Sequence, residues 1–308
     1  LPVEFDIVVP TIGRDSLREL LQSLARARGP LPQRVIVVDD RQLPDPPLSL
    51  DIDEPLKSRI SVLNGNAWGP ASARNIGWRA AKAAFVAFLD DDVIVDTDWL
   101  ERLAGDIHTL GPEDAGCQGR VGVPLPQDRP PTDWERNVAG LQHSSWITAD
   151  MVYRREVLEQ LGGFDERFRR AYREDADFAL QVFNAGYRLV RGSRGVAHPV
   201  RPADSWVSVR LQAGNADDVL MTAKHGRDWR ERARAPQGRW PYHLATVVCF
   251  AAWAGLTADF AWKRIAPGPR TAREIRTMIL TSAVIPFAAV YHTMRGAIAL
   301  ARLRRAQS

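Results

Sequence analysis

Three carboxylates stand side by side at Asp90-Asp91-Asp92, directly after the apolar run Phe85-Val86-Ala87-Phe88-Leu89. A buried parallel strand delivers its last residues to the sheet edge where open α/β folds bind ligands. Adjacent carboxylates at such an edge repel one another and push each other's pKa values up. A divalent cation relieves that repulsion, and hard oxygen donors suit Mg²⁺ or Mn²⁺. The chemistry these residues point to is a metal site that holds a diphosphate. The plain alternative is a solvated acidic strand end.

Strands and helices must place these acids. Asp6 to Ile12 reads as a buried strand, and Ser16 to Ala27 as a helix with Leu17, Leu20, Leu21 and Leu24 on one face. Arg34 to Asp40 reads as a second strand ending in acids. A Pro-rich loop follows over 43–55, then a short strand around 59–63. Pro70 to Ala84 reads as a helix, and Phe85 to Leu89 as the strand that carries the triple Asp. Strands alternating with helices predict βαβ units and a parallel sheet. Beyond it the pattern mixes: strands over 116–123 and 146–154, and a helix over 175–185 ended by Gly186. Residues 188–197 read as extended and 204–223 as helical.

The chain has 308 residues, net charge +4 and two cysteines, Cys117 and Cys249. That length supports a large core and more than one structural unit. The basic excess is too modest for a nucleic-acid footprint, so no nucleic-acid partner is expected. Two distant cysteines make neither a disulfide framework nor a zinc pattern, which favours a reducing compartment. The opening Leu1-Pro2-Val3-Glu4-Phe5-Asp6 lacks the basic and apolar regions of a signal peptide.

After Arg239 the character changes. Residues 240–258 and 277–294 contain no Asp, Glu, Lys or Arg, and both runs are near the minimum for a membrane span. If both spanned, the loop between them would carry Lys263, Arg264, Arg270, Arg273 and Arg276 to the side opposite the catalytic part. Basic residues favour the cytoplasmic side, and both sides cannot be cytoplasmic. Helices lying in the interface or re-entering, with Arg on anionic headgroups, satisfy the constraint. Buried helices or an oligomer contact are the alternatives.

Five features follow in a specific order: Val8-Val9-Pro10-Thr11-Ile12-Gly13-Arg14; Val35-Ile36-Val37-Val38-Asp39-Asp40; Gly69-Pro70-Ala71-Ser72-Ala73-Arg74-Asn75-Ile76-Gly77; the triple Asp; and Gly162-Gly163-Phe164-Asp165-Glu166-Arg167-Phe168 followed by Glu174-Asp175. This ordered set resembles the family 2 glycosyltransferases, inverting enzymes with the GT-A fold, over about residues 4–200. The resemblance implies an α/β, Rossmann-like mixed sheet flanked by helices, with the hydrophobic helical tail added. It assigns 1–225 to a GT-A domain and leaves 226–308 as a helical, membrane-associating region.

Carried over to this chain, the resemblance implies that Pro10 and Thr11 cradle the nucleotide and that Asp40 accepts a hydrogen bond from the base. Arg14, Asp39 and Asn75 join the nucleotide set, and Arg74 sits near base and phosphate. Asp90 would contact the ribose and Asp92 the metal, with Asp91 open to either role. His198 is a further candidate metal ligand, and a structural His is its alternative. Asp175, paired with Glu174, would be the base that takes a proton from the acceptor hydroxyl as it attacks the anomeric carbon. The plain reading of that pair is helix N-terminal charge, and both can hold together. Trp146 and Asp150 are placed where sugar or acceptor meets protein, although a Trp can equally be core. The expected cofactor is Mn²⁺ or Mg²⁺. The expected donor is a nucleoside-diphosphate sugar, with UDP first and TDP or GDP as alternatives. A glycan or lipid-linked acceptor in cell-envelope polysaccharide or glycolipid synthesis completes the expectation, at the cytoplasmic face of the cell membrane.

Two rivals remain. A haloacid-dehalogenase-like phosphatase also carries a strand ending Asp-x-Asp, but it needs Thr or Val where Ile94 stands and usually has the signature on its first strand. A non-catalytic domain that binds a nucleotide or a membrane partner is the other. A dinucleotide-binding fold is excluded, because Pro10-Thr11-Ile12-Gly13-Arg14 stands where G-x-G-x-x-G would.

Overall fold

The computed structural model describes residues 3–48, 50 and 52–307. The strands are β1 (Phe5–Thr11), β2 (Val35–Asp39), β3 (Ile60–Asn64), β4 (Phe85–Leu89), β5 (Ile94–Val95), β6 (Asp114–Gly122), β7 (Asp150–Arg154) and β8 (Arg188–Ala197). The helices are α1 (Ser16–Arg26), α2 (Pro70–Ala80), α3 (Trp99–His108), α4 (Asp133–Ala139), α5 (Arg155–Leu161), α6 (Glu174–Asn184), α7 (Val207–Arg210), α8 (Asn215–His225), α9 (Trp229–Arg232), α10 (Trp240–Val248), α11 (Phe250–Ile265) and α12 (Ala272–Gln307).

Among the described residues the strands form one sheet in the order β3-β2-β1-β4-β7-β6-β8-β5. β1 to β4 are parallel, as alternation with helices requires. β7 turns antiparallel to β4, and β6 and β8 run parallel to each other beyond it. The central strands are apolar on both faces because both faces are covered. Ile7, Val9, Val35, Val37, Ala87 and Leu89 pack with α1 and α3 on one side. Val8, Ile36, Val38, Val86 and Phe88 pack with α2, α5 and α6 on the other. The expected mixed sheet flanked by helices, with an apolar C-terminal helix, is what the chain forms.

Two compact units divide the chain. One runs through Val123 and resumes at Leu141–Pro199; the other combines Pro124–Gly140 with the chain from Val200 onward. The sequence division at 225 therefore differs from the packing. α7 and α8 belong with the tail, where Gly296 of α12 lies so close to Ala216 that an added Cβ would come within 2.8 Å of its Cα. The Pro-rich 124–131 stretch leads into α4, which Thr132 and Glu135 open as a reciprocal capping box. α4 joins the tail because Arg264, almost fully buried, donates two hydrogen bonds to Asp133.

Two further expectations shift. The strand expected over 146–154 starts only at Asp150, since Trp146 takes φ +66° and breaks extended geometry. The apolar run 240–258 is not one helix: it breaks at Cys249 into α10 and α11. Among the described residues, only α12 is long and apolar enough to cross a membrane by length and composition.

α2 rests on β1 through Gly77, where an added Cβ would come within 2.3 Å of a Val8 methyl. Val8 is fully buried and β-branched, so it cannot swing aside. Gly77→Val is expected to cost about 1–3 kcal/mol by overpacking, read as a fall in the urea midpoint; an unchanged midpoint would show that the helix can lift without penalty.

Candidate active site

Strand register assembles the site's floor. β1 and β2 pair Thr11 with Asp39. The β1–β4 register that matches Val8 with Phe88 carries Thr11 to the level of Asp91. Thr11 donates its hydroxyl to Asp91 Oδ2 at 2.6 Å, and Arg14 holds Asp91 Oδ1 at 2.6 Å. Asp91 is nearly inaccessible, and with both oxygens engaged it fixes the turn after β1. Pro10, half-buried beside Val38, rigidifies the same turn.

The two acids after β2 are also engaged. Arg41 chelates Asp39, and that hydrogen bond holds its carboxyl below the usual carboxylate range. Asp40 accepts from the backbone N–H of Trp68 at 3.0 Å and of Gly69 at 2.7 Å. Burial raises the Asp40 pKa despite these donors. Asp40, expected at the base, therefore shapes the loop that opens α2. Gly69 sits at φ +92°, where an added Cβ would meet the Arg169 carbonyl at 2.4 Å. Trp68 beside it is exposed and stacked under Arg169 at 4.2 Å. The sequence reading passed over this Trp, although an aromatic just ahead of a ligand-edge helix was a usable signal.

α2 then presents two polar residues with different duties. Asn75 is spent on structure: its amide donates to the Phe164 carbonyl and Glu166, and its oxygen accepts from Phe164 and Trp78. It pins the Gly-Gly-Phe-Asp-Glu turn. Arg74 is buried and bridges two acids, donating to Asp90 at 2.8 Å and to Glu174 at 2.8 Å. Burial opposes its charge, but Asp90 and Glu174 outweigh burial and hold the guanidinium pKa above its ordinary value.

α6 begins at Glu174. Arg173, just before it, takes the left-handed φ of +77°, a strained turn for a non-glycine residue. Glu174 Oε2 is buried without a hydrogen-bond partner. Burial pushes the Glu174 carboxyl up to about 7, against the pull of Arg74 and with help from Asp175. Asp175 is the more open member of the pair; its Oδ1 accepts from the Ala176 N–H at 2.7 Å. Burial raises its pKa as well. Tyr153, absent from the sequence reading, has a buried hydroxyl with no partner; burial first and the Asp175 charge second raise its pKa.

The last element comes from an antiparallel pair. β5 and β8 match Ile94 with Ala197 and Val95 with Val196. Just beyond that ladder His198 meets Asp92, with Nε2 3.3 Å from Oδ1. Both side chains are buried, and His198 Nδ1 has no hydrogen-bond partner. One oxygen and one nitrogen donor at the tip of the acidic edge fit a cation that takes its other ligands from water and phosphate, as Mg²⁺ does. Among the described residues no third His, Cys, Asp or Glu side chain joins them.

Trp146 and Asp150, the sugar or acceptor candidates, lie in the interior. The Trp146 ring packs edge-on to Phe183. Asp150 is fully buried, bound to Arg194 at 2.7 Å and to the Trp99 indole at 3.0 Å. Arg194 also holds Asp106 and the Cys117 carbonyl. No motif marks this network, whose members are scattered over four strands and helices.

Comparison with known proteins bears on the family and the fold. Residues 6–162 match the glycosyl transferase family 2 model. The pre-mycofactocin glycosyltransferase of Mycobacterium tuberculosis is 35% identical over 198 residues, which is 59% of this chain and 40% of that protein. The chain thus spans less than half the length of that relative. The succinoglycan biosynthesis protein ExoM of Rhizobium meliloti is 28% identical over 278 residues, 80% of this chain and 85% of that one. The solved mannosyltransferase PcManGT of Pyrobaculum calidifontis, in complex with GDP-Man and Mn²⁺, superposes with a TM-score of 0.53 at 18% identity, covering 96% of this chain and 89% of its own.

The interior placement of Asp150 has a measurable consequence. Arg194→Met leaves two buried carboxylates without their cation, at an expected cost of about 3–5 kcal/mol. Thermal unfolding should register the loss, whereas a role at the acceptor would instead appear as a raised KM in a variant of unchanged stability.

Proposed function

The chain belongs to glycosyl transferase family 2, and from that premise we propose that it moves one sugar from a nucleoside diphosphate to an acceptor hydroxyl with inversion. The observation that carries the reading is the Arg74 bridge. It ties Asp90, at the tip of the acidic strand, to Glu174, beside the more open Asp175. Donor edge and the immediate neighbour of the base are thereby held by one guanidinium.

In the proposed reaction the acceptor oxygen attacks the anomeric carbon as the bond to the diphosphate breaks, and Asp175 receives the hydroxyl proton. A single displacement needs no nucleophilic carboxylate, so one base suffices. Asp92 and His198 would hold Mn²⁺ or Mg²⁺. When bound, the ion supplies positive charge to the leaving diphosphate. Asp90 remains the candidate for the ribose, half exposed and oriented by Arg74. Thr11, Arg14, Asp39, Asp40 and Asn75 serve the nucleotide indirectly, by fixing the loops around it.

UDP is the first donor nucleotide to test, with GDP and TDP beside it; a solved structure of similar fold carries GDP-Man. We place transfer in the unit that runs through Val123 and resumes at Leu141–Pro199, inside the 1–225 span expected from sequence, and membrane association in the unit that carries α12, at the cytoplasmic face, with a glycan or lipid-linked acceptor in envelope synthesis. The apolar, Arg-flanked α12 supports that location. Nothing in the site favours the phosphatase alternative, since Asp90, its would-be nucleophile, is committed to Arg74.

Calorimetry with Mn²⁺ should give heat with one of UDP, TDP or GDP, and Asp92→Ala should remove the metal-dependent part. No heat with any of the three would overturn the donor assignment. Asp175→Asn should preserve nucleotide binding and lower transfer about 10²–10⁴-fold; normal turnover would move the base elsewhere. The base must be ionised to act, and burial raises both carboxyls of the pair. Transfer should therefore rise with pH on a limb above the ordinary carboxylate range. Arg74→Met removes the nearest positive charge and should move that limb to still higher pH; a limb shifted downward would contradict the bridge.

A further inference from the structure

We propose that α12 docks in the plane of an anionic bilayer surface along one face, without crossing it. The inference rests on the membrane association proposed above and specifies its mode. Leu280, Val284, Phe287, Tyr291, Met294 and Ile298 recur at alternating steps of four and three, so they share one helix face. All six are exposed, between 36% and 58%. Six large apolar side chains in one unbroken line exceed the scattered apolar exposure of an ordinary surface. The same rhythm continued outward reaches Arg273 at one end and Arg305 at the other. The helix carries six Arg against the single Glu274, a balance that complements anionic headgroups.

From Leu280 to Ile298 the line is about 27 Å long at 1.5 Å per residue, close to a hydrocarbon core, so a span must be weighed. The opposite face decides against it. Thr281 and Ser282 are buried there and accept hydrogen bonds from Arg264 at 2.8 and 3.0 Å. Arg264 in turn is paired with Asp133 at 2.8 Å. Further along, Gly296 is in close contact with Ala216 of α8, whose first turn holds Asp217 and Asp218 and whose last turn holds Lys224 and His225. A spanning α12 would pull this ion pair and these charges into hydrocarbon, where charges and unsatisfied polar groups are strongly disfavoured. A helix lying flat buries only the outer line and leaves the charged neighbours in water.

The test uses the full chain with Cys249→Ser and single cysteines at Leu280→Cys, Phe287→Cys or Ile298→Cys, each labelled with an environment-sensitive fluorophore. Vesicles of phosphatidylcholine and phosphatidylglycerol are added, with lipids brominated at graded depths as quenchers. Equal, shallow depths at all three positions are expected. A deep centre with shallow ends would mean that α12 spans, and would overturn the inference while leaving membrane association intact. Cosedimentation with no fluorophore entering lipid would place the contact on another surface and also overturn it. Failure to cosediment at all would remove the underlying membrane reading; dimerisation by light scattering in that case would assign the line to a second copy of this chain. Phe287→Glu with Tyr291→Glu should weaken vesicle binding at least about tenfold, with circular dichroism unchanged, and undiminished binding would count against the face.

Discussion

The buried guanidinium of Arg74 is the contact on which the site depends. A charge that has left water needs compensation, and two carboxylates supply it from different parts of the chain. Asp90 comes from the end of β4, and Glu174 from the first residue of α6. Their separation is thus set by one side chain with fixed fork geometry. Arg74 itself is fixed because α2 is pinned by two residues close to it in the helix. Gly77 rests on Val8, and Asn75 is locked to the turn around Phe164. Packing, backbone hydrogen bonds and the ion pairs therefore fix the same geometry.

This arrangement also explains why the acids at the sheet edge behave differently although they look alike. Asp39, Asp91 and Asp40 each have both oxygens engaged by Arg41, by Thr11 and Arg14, or by backbone N–H groups. Such carboxylates hold loops in place. Asp90 is half exposed, Asp92 faces His198, and Asp175 is the open partner of a buried Glu. The proposed chemistry is assigned to these three acids. Glu174 lies between the two classes, with one oxygen on Arg74 and the other buried and unpartnered. An unsatisfied buried carboxylate oxygen is expensive; burial raises the carboxyl pKa of both members, that of Glu174 to about 7.

The parallel half of the fold was legible because its signals are local. Phe85–Leu89 and Arg188–Ala197 form strands over the residues their apolar and extended patterns marked, and the acids fall at strand ends because buried strands stop where polar residues begin. The order of motifs was enough to reach the family. The site was legible only as a neighbourhood. Whether Asp40 faces a base or caps the loop at Trp68 depends on backbone donors that no spacing reveals. Asp150 reads like an accessible acid on a strand, yet it is the counter-ion of Arg194, which lies 44 positions away. The division at 225 drew on a change in composition, whereas the packing responds to Arg264 and Asp133, separated by 131 positions. Long-range ion pairs are the common element in these differences.

The tail shows the same principle acting on a surface. Two apolar runs of similar length look equivalent as sequence, but they meet different fates. The first contains no residue that forces a break, yet it folds as two helices around Cys249. The second stays continuous and divides its circumference, with Thr281 and Ser282 turned to Arg264 and an aromatic and aliphatic line turned outward. A helix solvated by lipid on every side gains nothing from a buried Arg–Asp pair, because that pair must itself leave water. The pair is affordable where one flank stays near the polar boundary. Hydropathy averaged over the helix cannot distinguish these cases, since it sums two faces that have opposite partners. The periodicity of the exposed residues, read together with what the buried ones hold, can.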